Sequence, residues 1–319
     1  MTGNFTVSKI TRPKDIYPLV YFNGFVVPYE SAVLPVASPV LHYGLGSFEG
    51  IRAYWNEKEE RLFVFRLEDH YERLKRSAQT LVMTLPADVI SLCDSTVDLL
   101  WQNQVKGDVY IRPLVYKKTP TVVQLNLDKL EDGFVIVLQS LGHYLDVLGM
   151  SVITSSWKRL DSSMIPVGAK PVAAYLNSAL AKTEAARQGA GEAILLNNDG
   201  TVAEGSAENI FLVKDGKLIT PATSQNILVG VTRQTVMELA KKEFDVDTDE
   251  RPVLEEELYR ADEIFFTGTG AEIAPVVSIN NCLVGSGTIG LVTDKLQQLY
   301  FRVVHGEEPT YGHWLTAVP

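Results

Sequence analysis

Short runs in which apolar residues alternate with polar ones open the chain, and they read as strands. In YFNGFVVPY the dipeptide Asn23-Gly24 can take the positive φ angles of a tight turn, which predicts a hairpin. Ile51 to Trp55 and Arg61 to Phe65 flank a charged NEKEE turn and predict a second strand pair. The period then lengthens to that of a helix, from Leu67 to about Met83, with Leu85-Pro86 as its stop. Another helix is expected around Val89 to Asn103. VYIRPLVY and FVIVLQSL follow, rich in β-branched and aromatic residues, and are expected to pair in one sheet.

The stretch LGHYLDVLGM, residues 141 to 150, has a glycine near each end and no clean period. It reads as a connection, and 144–150 is taken as a loop dividing a domain of 1–143 from one of 151–319. The length of 319 residues agrees with more than one hydrophobic core. Beyond the loop, SVITSSWKRL predicts a strand, and a helix is expected from Pro171 to about Arg187, with proline first and Gly189 just past the end. EAILLNNDGTVAEGSAENIFLVKDGKLITP carries two Asp-Gly turns between apolar runs and predicts a meander. Helices from Thr232 to Phe244 and from Thr293 to Val304 are separated by the strand EIFFTGTG and the hairpin-like VVSINNCLVG. The closing GEEPTYGHWL has no period and is expected to pack locally as a tail. The fold class is therefore mixed α/β (α+β).

Composition narrows the partners. A formal charge of -10 with a pI near 5.1 leaves no basic face for phosphate backbones, so nucleic acid is not expected. The apolar runs are strand-sized, far below the roughly 20 residues of a membrane helix. The first residues lack a basic segment followed by an apolar one, which favours a cytoplasmic protein. Cys93 and Cys282 form no CxxC pair, suggest neither metal nor disulfide, and read as packing residues.

Four segments carry candidate chemistry. Lys170 lies in IPVGAKPVAAYL with no acidic residue within eight positions on either side. Desolvation there would favour a neutral amine able to form a Schiff base with an aldehyde, although ordinary lysines also lay their stems along apolar stretches. In VAEGSAENIF, Glu204 and Glu208 interrupt strand-like sequence; they read either as buried carboxylates in need of a partner, such as a protonated pyridine nitrogen, or as solvated loop residues. Gly230, just before a predicted helix, and the TGTG of 267–270 could each cradle a phosphate or be routine turns. In FRLEDHYERL the helical spacing puts Leu67, His70, Arg73 and Leu74 on one face, so Arg73 points inward at an anion, either a phosphate or an internal carboxylate.

In this order, LHYGLGSFEGIRAY, FRLEDHYERL, VYIRPLVY, SSWKR, the AK of VGAK, VAEGSAENIF, VGVTR and FTGTGAEIAPV resemble the class IV (fold-type IV) pyridoxal-phosphate aminotransferases, most nearly the branched-chain amino-acid type. The resemblance runs from about Tyr21 to the C-terminus. It implies a smaller N-terminal α/β domain and a larger pseudo-barrel domain, with pyridoxal 5'-phosphate between them at a dimer interface.

The resemblance further implies that Lys170 is the Schiff-base lysine and general base, that Glu204 partners the pyridine nitrogen, and that Tyr175 contacts the phenolic oxygen. Arg73, the backbone of Val231 and Thr232, and Thr269 would hold the phosphate. Phe48, Tyr110, Arg112, Tyr144, Thr269 and Gly270 would line the substrate pocket, with Tyr43 reaching in from a partner subunit of a homodimer or dimer-based oligomer. The implied substrates are leucine, isoleucine and valine with 2-oxoglutarate, so the partners are amino acids and 2-oxo acids, without membrane or nucleic acid. A D-amino-acid or (R)-amine transaminase, an aminodeoxychorismate lyase and a non-catalytic binding protein are the alternatives. Pro171 and the alanines after Lys170, Gly270, and the loop KKTPTVVQLNL depart from the usual family pattern and bear on substrate range.

Overall fold

At Asn23-Gly24 the backbone takes φ values of 49° and 100° and folds β1 (Leu19–Phe22) onto β2 (Phe25–Pro28), as the dipeptide requires. The computed structural model describes residues 11–142, 145, 146 and 148–319. The first sheet continues with β3 (Gly46–Phe48), β4 (Ile51–Asn56), β5 (Arg61–Phe65), β6 (Val109–Lys117) and β7 (Asp132–Ser140). β6 and β7 pair antiparallel along their whole length, from Val109 opposite Ser140 to Lys117 opposite Asp132. Strand alternation sends Val109, Ile111 and Val115 into the core and puts Tyr110 and Arg112 together on the other face.

After α1 (Pro39–Tyr43), the helices α2 (Leu67–Thr80) and α3 (Val89–Gln102) cover that core. α2 buries Leu67, Tyr71, Leu74 and Ala78 with His70 and Arg73 on the same side, as the spacing predicts. It stops at Thr80, short of the expected Met83, and the chain turns away through Val82 at φ 54°. Asp88 begins α3 by accepting the Ser91 N–H at 2.8 Å.

The second sheet holds β8 (Met150–Lys158), β9 (Glu192–Leu196), β10 (Val202–Gly205), β11 (Asn209–Lys214), β12 (Lys217–Pro221), β13 (Thr248–Arg251), β14 (Glu263–Gly268), β15 (Glu272–Ile279) and β16 (Cys282–Leu283). Their order is β10-β9-β8-β15-β14-β11-β12-β13, with β16 on β15. β8 runs parallel to β9, and α4 (Tyr175–Arg187) is the crossover between them. α5 (Val231–Phe244) and, beyond the one-turn α6 (Glu255–Leu258), α7 (Leu291–Val304) pack on β14, α7 also on β15. β7 ends at Ser140 and β8 begins at Met150; residues 143, 144 and 147 of the connection read from sequence as an interdomain loop lie outside the described residues.

Three further expectations change. The helix expected from Pro171 starts at Tyr175, because Pro171 is extended (ψ 141°) and bridges Ser47 of the first sheet; only a 3-10 turn, Val172–Ala174, precedes α4. The C-terminal segment is not a local tail. Trp314 packs on Phe65, and β17 (Leu315–Ala317) adds an edge strand to the first sheet beside β5. Cys282 is exposed on the hairpin at Asn280-Asn281 and is not a core residue, whereas Cys93 lies half-buried against the core.

The two sheets meet through side chains. Tyr54 and Phe65 of the first join a cluster with Phe211, Phe265 and Tyr300 of the second part. The Ser47 hydroxyl donates to the Ala169 carbonyl at 2.7 Å, and buried Arg52 lies 3.1 Å from buried Glu272. Among the described residues no helix is long and apolar enough to cross a membrane.

Candidate active site

Between the sheets lies a cavity of about 560 Å³. Lys170 enters it from the turn joining two 3-10 segments, Val167–Ala169 and Val172–Ala174, with φ 47° and ψ 48°. A left-handed lysine costs about 1–2 kcal/mol, and the tertiary contacts hold it there: its N–H donates to Val167 O at 3.1 Å and its carbonyl accepts from Phe48 N–H at 3.5 Å. Nζ sits 5.4 Å from the ring centre of Phe48 and 5.7 Å from that of Tyr175. Among the described residues it forms no ion pair.

Glu204, on β10, forms another wall and is 4% exposed, so the solvated-loop reading fails. One oxygen lies 2.6 Å from Arg159 Nη2; the other accepts the Leu228 N–H and the Asn209 amide, each at 3.0 Å. Burial raises the Glu204 carboxyl above its ordinary value despite the neighbouring Arg159 guanidinium. Glu208, equally buried, accepts the Ala207 N–H at 3.0 Å. Burial, reinforced by the charge of Glu192, pushes it up to about 8.

The third wall is cationic and rich in N–H groups. Arg73 donates through Nε and Nη2 to the two oxygens of Glu49, both at 2.7 Å, and through Nη1 to Val229 O at 2.8 Å. The internal-carboxylate reading of this arginine therefore holds, and the side chain also lines the cavity with two of its five N–H groups unspent. His70 Nδ1 lies 2.8 Å from Glu49. Burial alone would raise the Glu49 carboxyl, but Arg73 and then His70 hold it well below the usual range; burial pushes His70 down. Opposite Arg73, α5 begins at Gly230 with no side chain capping its first N–H groups, those of Val231 and Thr232. A Cβ on Gly230 would stand 2.3 Å from Asn209 Oδ1, so a side chain there would displace the amide that donates to Glu204.

These groups suit pyridoxal phosphate on three counts. The buried Thr267 hydroxyl on the cavity wall has no partner, and with the uncapped helix start and Arg73 it offers donors for a dianion. The carboxylate of Glu204 is under-compensated for its burial and suits a pyridinium. An amine, Lys170, stands between two aromatic rings in the same cavity.

On the remaining side Phe48, Tyr110, Arg112, Thr269 and Gly270 line the cavity, and Tyr175 lines it beside Lys170. The Arg112 guanidinium stacks 4.2 Å from the Phe48 ring centre and donates to Tyr110 Oη at 2.7 Å, while its Nε has no partner. Tyr43 is not among the lining residues; it stands on the surface at the end of α1 and donates to Val122 O. Tyr144 lies outside the described residues. Sequence reasoning missed Arg159, Glu49 and Asn209. The need of a buried Glu204 for a cation, and the Glu49 beside Phe48, were the available signals.

A family model described as amino-transferase class IV matches residues 46–279. A probable branched-chain-amino-acid aminotransferase of Aquifex aeolicus is 46% identical over 299 residues, covering 93% of this chain and 96% of that one. The crystal structure of a branched-chain aminotransferase from Thermoproteus uzoniensis with norvaline superposes with a TM-score of 0.91 at 42% identity, covering 95% of this chain and all of that chain (100%). The crystal structure of the branched-chain amino acid aminotransferase from Thermobaculum terrenum in PLP-form (holo-form) also gives 0.91, at 36% identity, covering 96% of this chain and 100% of that one.

The Glu49–Arg73 pair yields a stability test. Glu49→Gln should cost about 3–5 kcal/mol at neutral pH, the usual loss on stripping one partner from a buried pair. Because the folded carboxyl titrates below its unfolded value, its contribution is complete above roughly pH 4–5 and fades as acid is added below that. Urea unfolding should therefore show the gap between wild type and variant narrowing in acid; a gap that ignores pH would mean that the charge of Glu49 is not what matters.

Proposed function

The chain belongs to the class IV aminotransferases, and from that premise we propose that it transfers the amino group of leucine, isoleucine and valine to 2-oxoglutarate, giving 2-oxo acids and L-glutamate. The carrying observation is the convergence of Lys170, Glu204, Arg73 and the start of α5 on one cavity. When bound, pyridoxal 5'-phosphate supplies an electron sink for cleavage at the α-carbon. Lys170 would anchor it covalently through Nζ and, once released by the incoming amine, would move the α-proton as general base. Glu204 would keep the ring nitrogen protonated. Tyr175 would face the phenolic oxygen. Arg73, the Val231 and Thr232 N–H groups and Thr269 would hold the phosphate.

Two kinds of side chain must use one pocket. Phe48, Tyr110 and Tyr175 offer apolar surface for a branched side chain, and Arg112, with its unpartnered Nε, offers a cation for the second carboxylate of glutamate. Thr269 and Gly270, with Tyr144, complete the pocket in this reading. We also divide the chain into a smaller domain of 1–143, a loop of 144–150 and a larger domain of 151–319 whose last strand returns to the first sheet, and read it as a cytoplasmic enzyme.

A second copy would cover a surface that water serves poorly. Val36 is 86% and Val123 85% exposed, and Val33, Leu41, Val122 and Leu125 are exposed beside them. Two segments build this face together, since Tyr43 donates to Val122 O and Thr121 N–H to Ala37 O at 2.9 Å. A homodimer, alone or within a larger oligomer, would bring Tyr43 to the partner's cavity.

Lys170→Ala should abolish transamination, and borohydride reduction of the cofactor-loaded protein should label Lys170; a label on any other lysine defeats the assignment. With L-leucine, L-glutamate, D-alanine and (R)-1-phenylethylamine compared as donors, the first two should dominate. Arg112→Leu should weaken glutamate and 2-oxoglutarate by roughly 2–5 kcal/mol in kcat/KM and leucine far less; equal losses would remove Arg112 from substrate selection. Val36→Glu with Val123→Glu should sediment as a monomer and lose activity, and an active monomeric wild type would rule out the shared site.

A further inference from the structure

We propose that Arg159 is a positioning residue for Glu204, holding its carboxylate anionic and oriented into the cavity; this rests on the reading of Glu204 as partner of the ring nitrogen. Arg159 and Glu204 are both buried, and Nη2 stands 2.6 Å from Oε1. The other oxygen is already taken by the Leu228 N–H and the Asn209 amide. With one oxygen spent on fixed neutral donors, Arg159 is the cation that determines how the remaining oxygen presents itself.

Arg159 is itself held. Its Nε donates to Asn226 O at 3.0 Å and its N–H to Leu196 O at 2.9 Å. Asn226, left-handed at φ 56°, accepts the Ser162 N–H at 2.9 Å and donates to Asn197 Oδ1 at 3.0 Å. The guanidinium therefore meets Glu204 with little freedom to swing away, and its planar fork suits this better than an ammonium would.

The charge balance makes the role necessary. Around Glu204 stand Arg159, Lys170, Arg73 and Glu208, with the neutral donors Asn209 and Leu228. Burial pushes the Glu204 carboxyl upward, and Arg159 is the largest influence opposing it. Without Arg159 the carboxyl would protonate at a higher pH and lose its attraction for a protonated ring nitrogen.

The test is equilibrium binding of pyridoxal 5'-phosphate to the apoprotein across the neutral range, with thermal unfolding as a check on folding. Affinity should fall as pH drops, and in Arg159→Met the fall should begin about one pH unit higher, a roughly tenfold weaker affinity at a fixed pH on that limb. Arg159→Lys should restore most of it. In a Glu204→Gln background Arg159→Met should no longer shift whatever limb remains from Lys170 and the phosphate, and should add less than about threefold. An undiminished effect of Arg159→Met in that background overturns the proposal, because Arg159 would be acting elsewhere. If Glu204→Gln alone binds and turns over like wild type, the reading of Glu204 fails instead, and the two failures are distinguishable. Should Arg159→Met not fold, Arg159→Lys and Arg159→Gln replace it: a shifted limb in Gln but not Lys supports the role, and the same limb in both refutes it.

Discussion

A carboxylate with no exposure has to be neutralised where it stands, and Glu49 is neutralised by Arg73 and hydrogen-bonded by His70, both from a single turn of α2. The pair fixes how α2 lies against the loop between β3 and β4. It also leaves Nη1 of Arg73 pointing across the gap between the sheets, where it meets Val229 O. Burying such a pair gains little over an apolar contact of the same shape. Its effect is geometric: a guanidinium locked by two bonds presents its remaining N–H groups in one direction, toward the cavity.

Beyond Arg73 the chain from Asn226 to Gly230 acts as a strap. Asn226 O holds Arg159, the Leu228 N–H holds Glu204, Leu228 O receives the Asn209 amide at 2.8 Å, Val229 O receives Arg73, and Gly230 starts α5. Five consecutive residues thus couple the carboxylate end of the cavity to its N–H-rich end. No repeating secondary structure could do this, since a strand or helix would spend these same carbonyls and N–H groups on its own ladder.

What the sequence reveals follows the same division. Hairpins at Asn-Gly and Asp-Gly, the 3-4 stripe of α2 and the β6–β7 pair are legible because local periodicity alone specifies them. Lys170 and Glu204 are legible as anomalies, charged residues in apolar or small-residue surroundings. The partners of those anomalies are not: Glu49 is 24 positions from Arg73, and Leu228 is 24 from Glu204. Such pairings are decided by tertiary packing. The late start of α4 shows the same limit, because Pro171 looks like a first helical residue until the bridge to Ser47 claims it. The last strand is similar: Leu315–Ala317 is too short to carry a period and is a strand only because β5 has a free edge.

Net charge misleads about the cavity in an instructive way. The chain carries -10 overall, yet Arg73, Arg112, Arg159, Lys170 and Lys182 line one cavity with only Glu204 and Glu208 as acids. Arg73 is matched by Glu49, Arg159 by Glu204 and Lys182 by Glu192. Glu208 is pushed toward its neutral form, so it subtracts little near neutral pH. Among the described residues Lys170 and Arg112 then remain as basic side chains without a carboxylate partner. In a low-dielectric cleft an unmatched guanidinium acts strongly on small anions, while the acidic exterior repels a long polyanion. A phosphate of about two negative charges and a substrate carboxylate meet a field opposite in sign to the one the whole molecule presents at a distance. A composition that disfavours a long polyanion is therefore compatible with tight binding of a small phosphate ester, because selectivity here depends on where the few unmatched basic groups sit and not on their number.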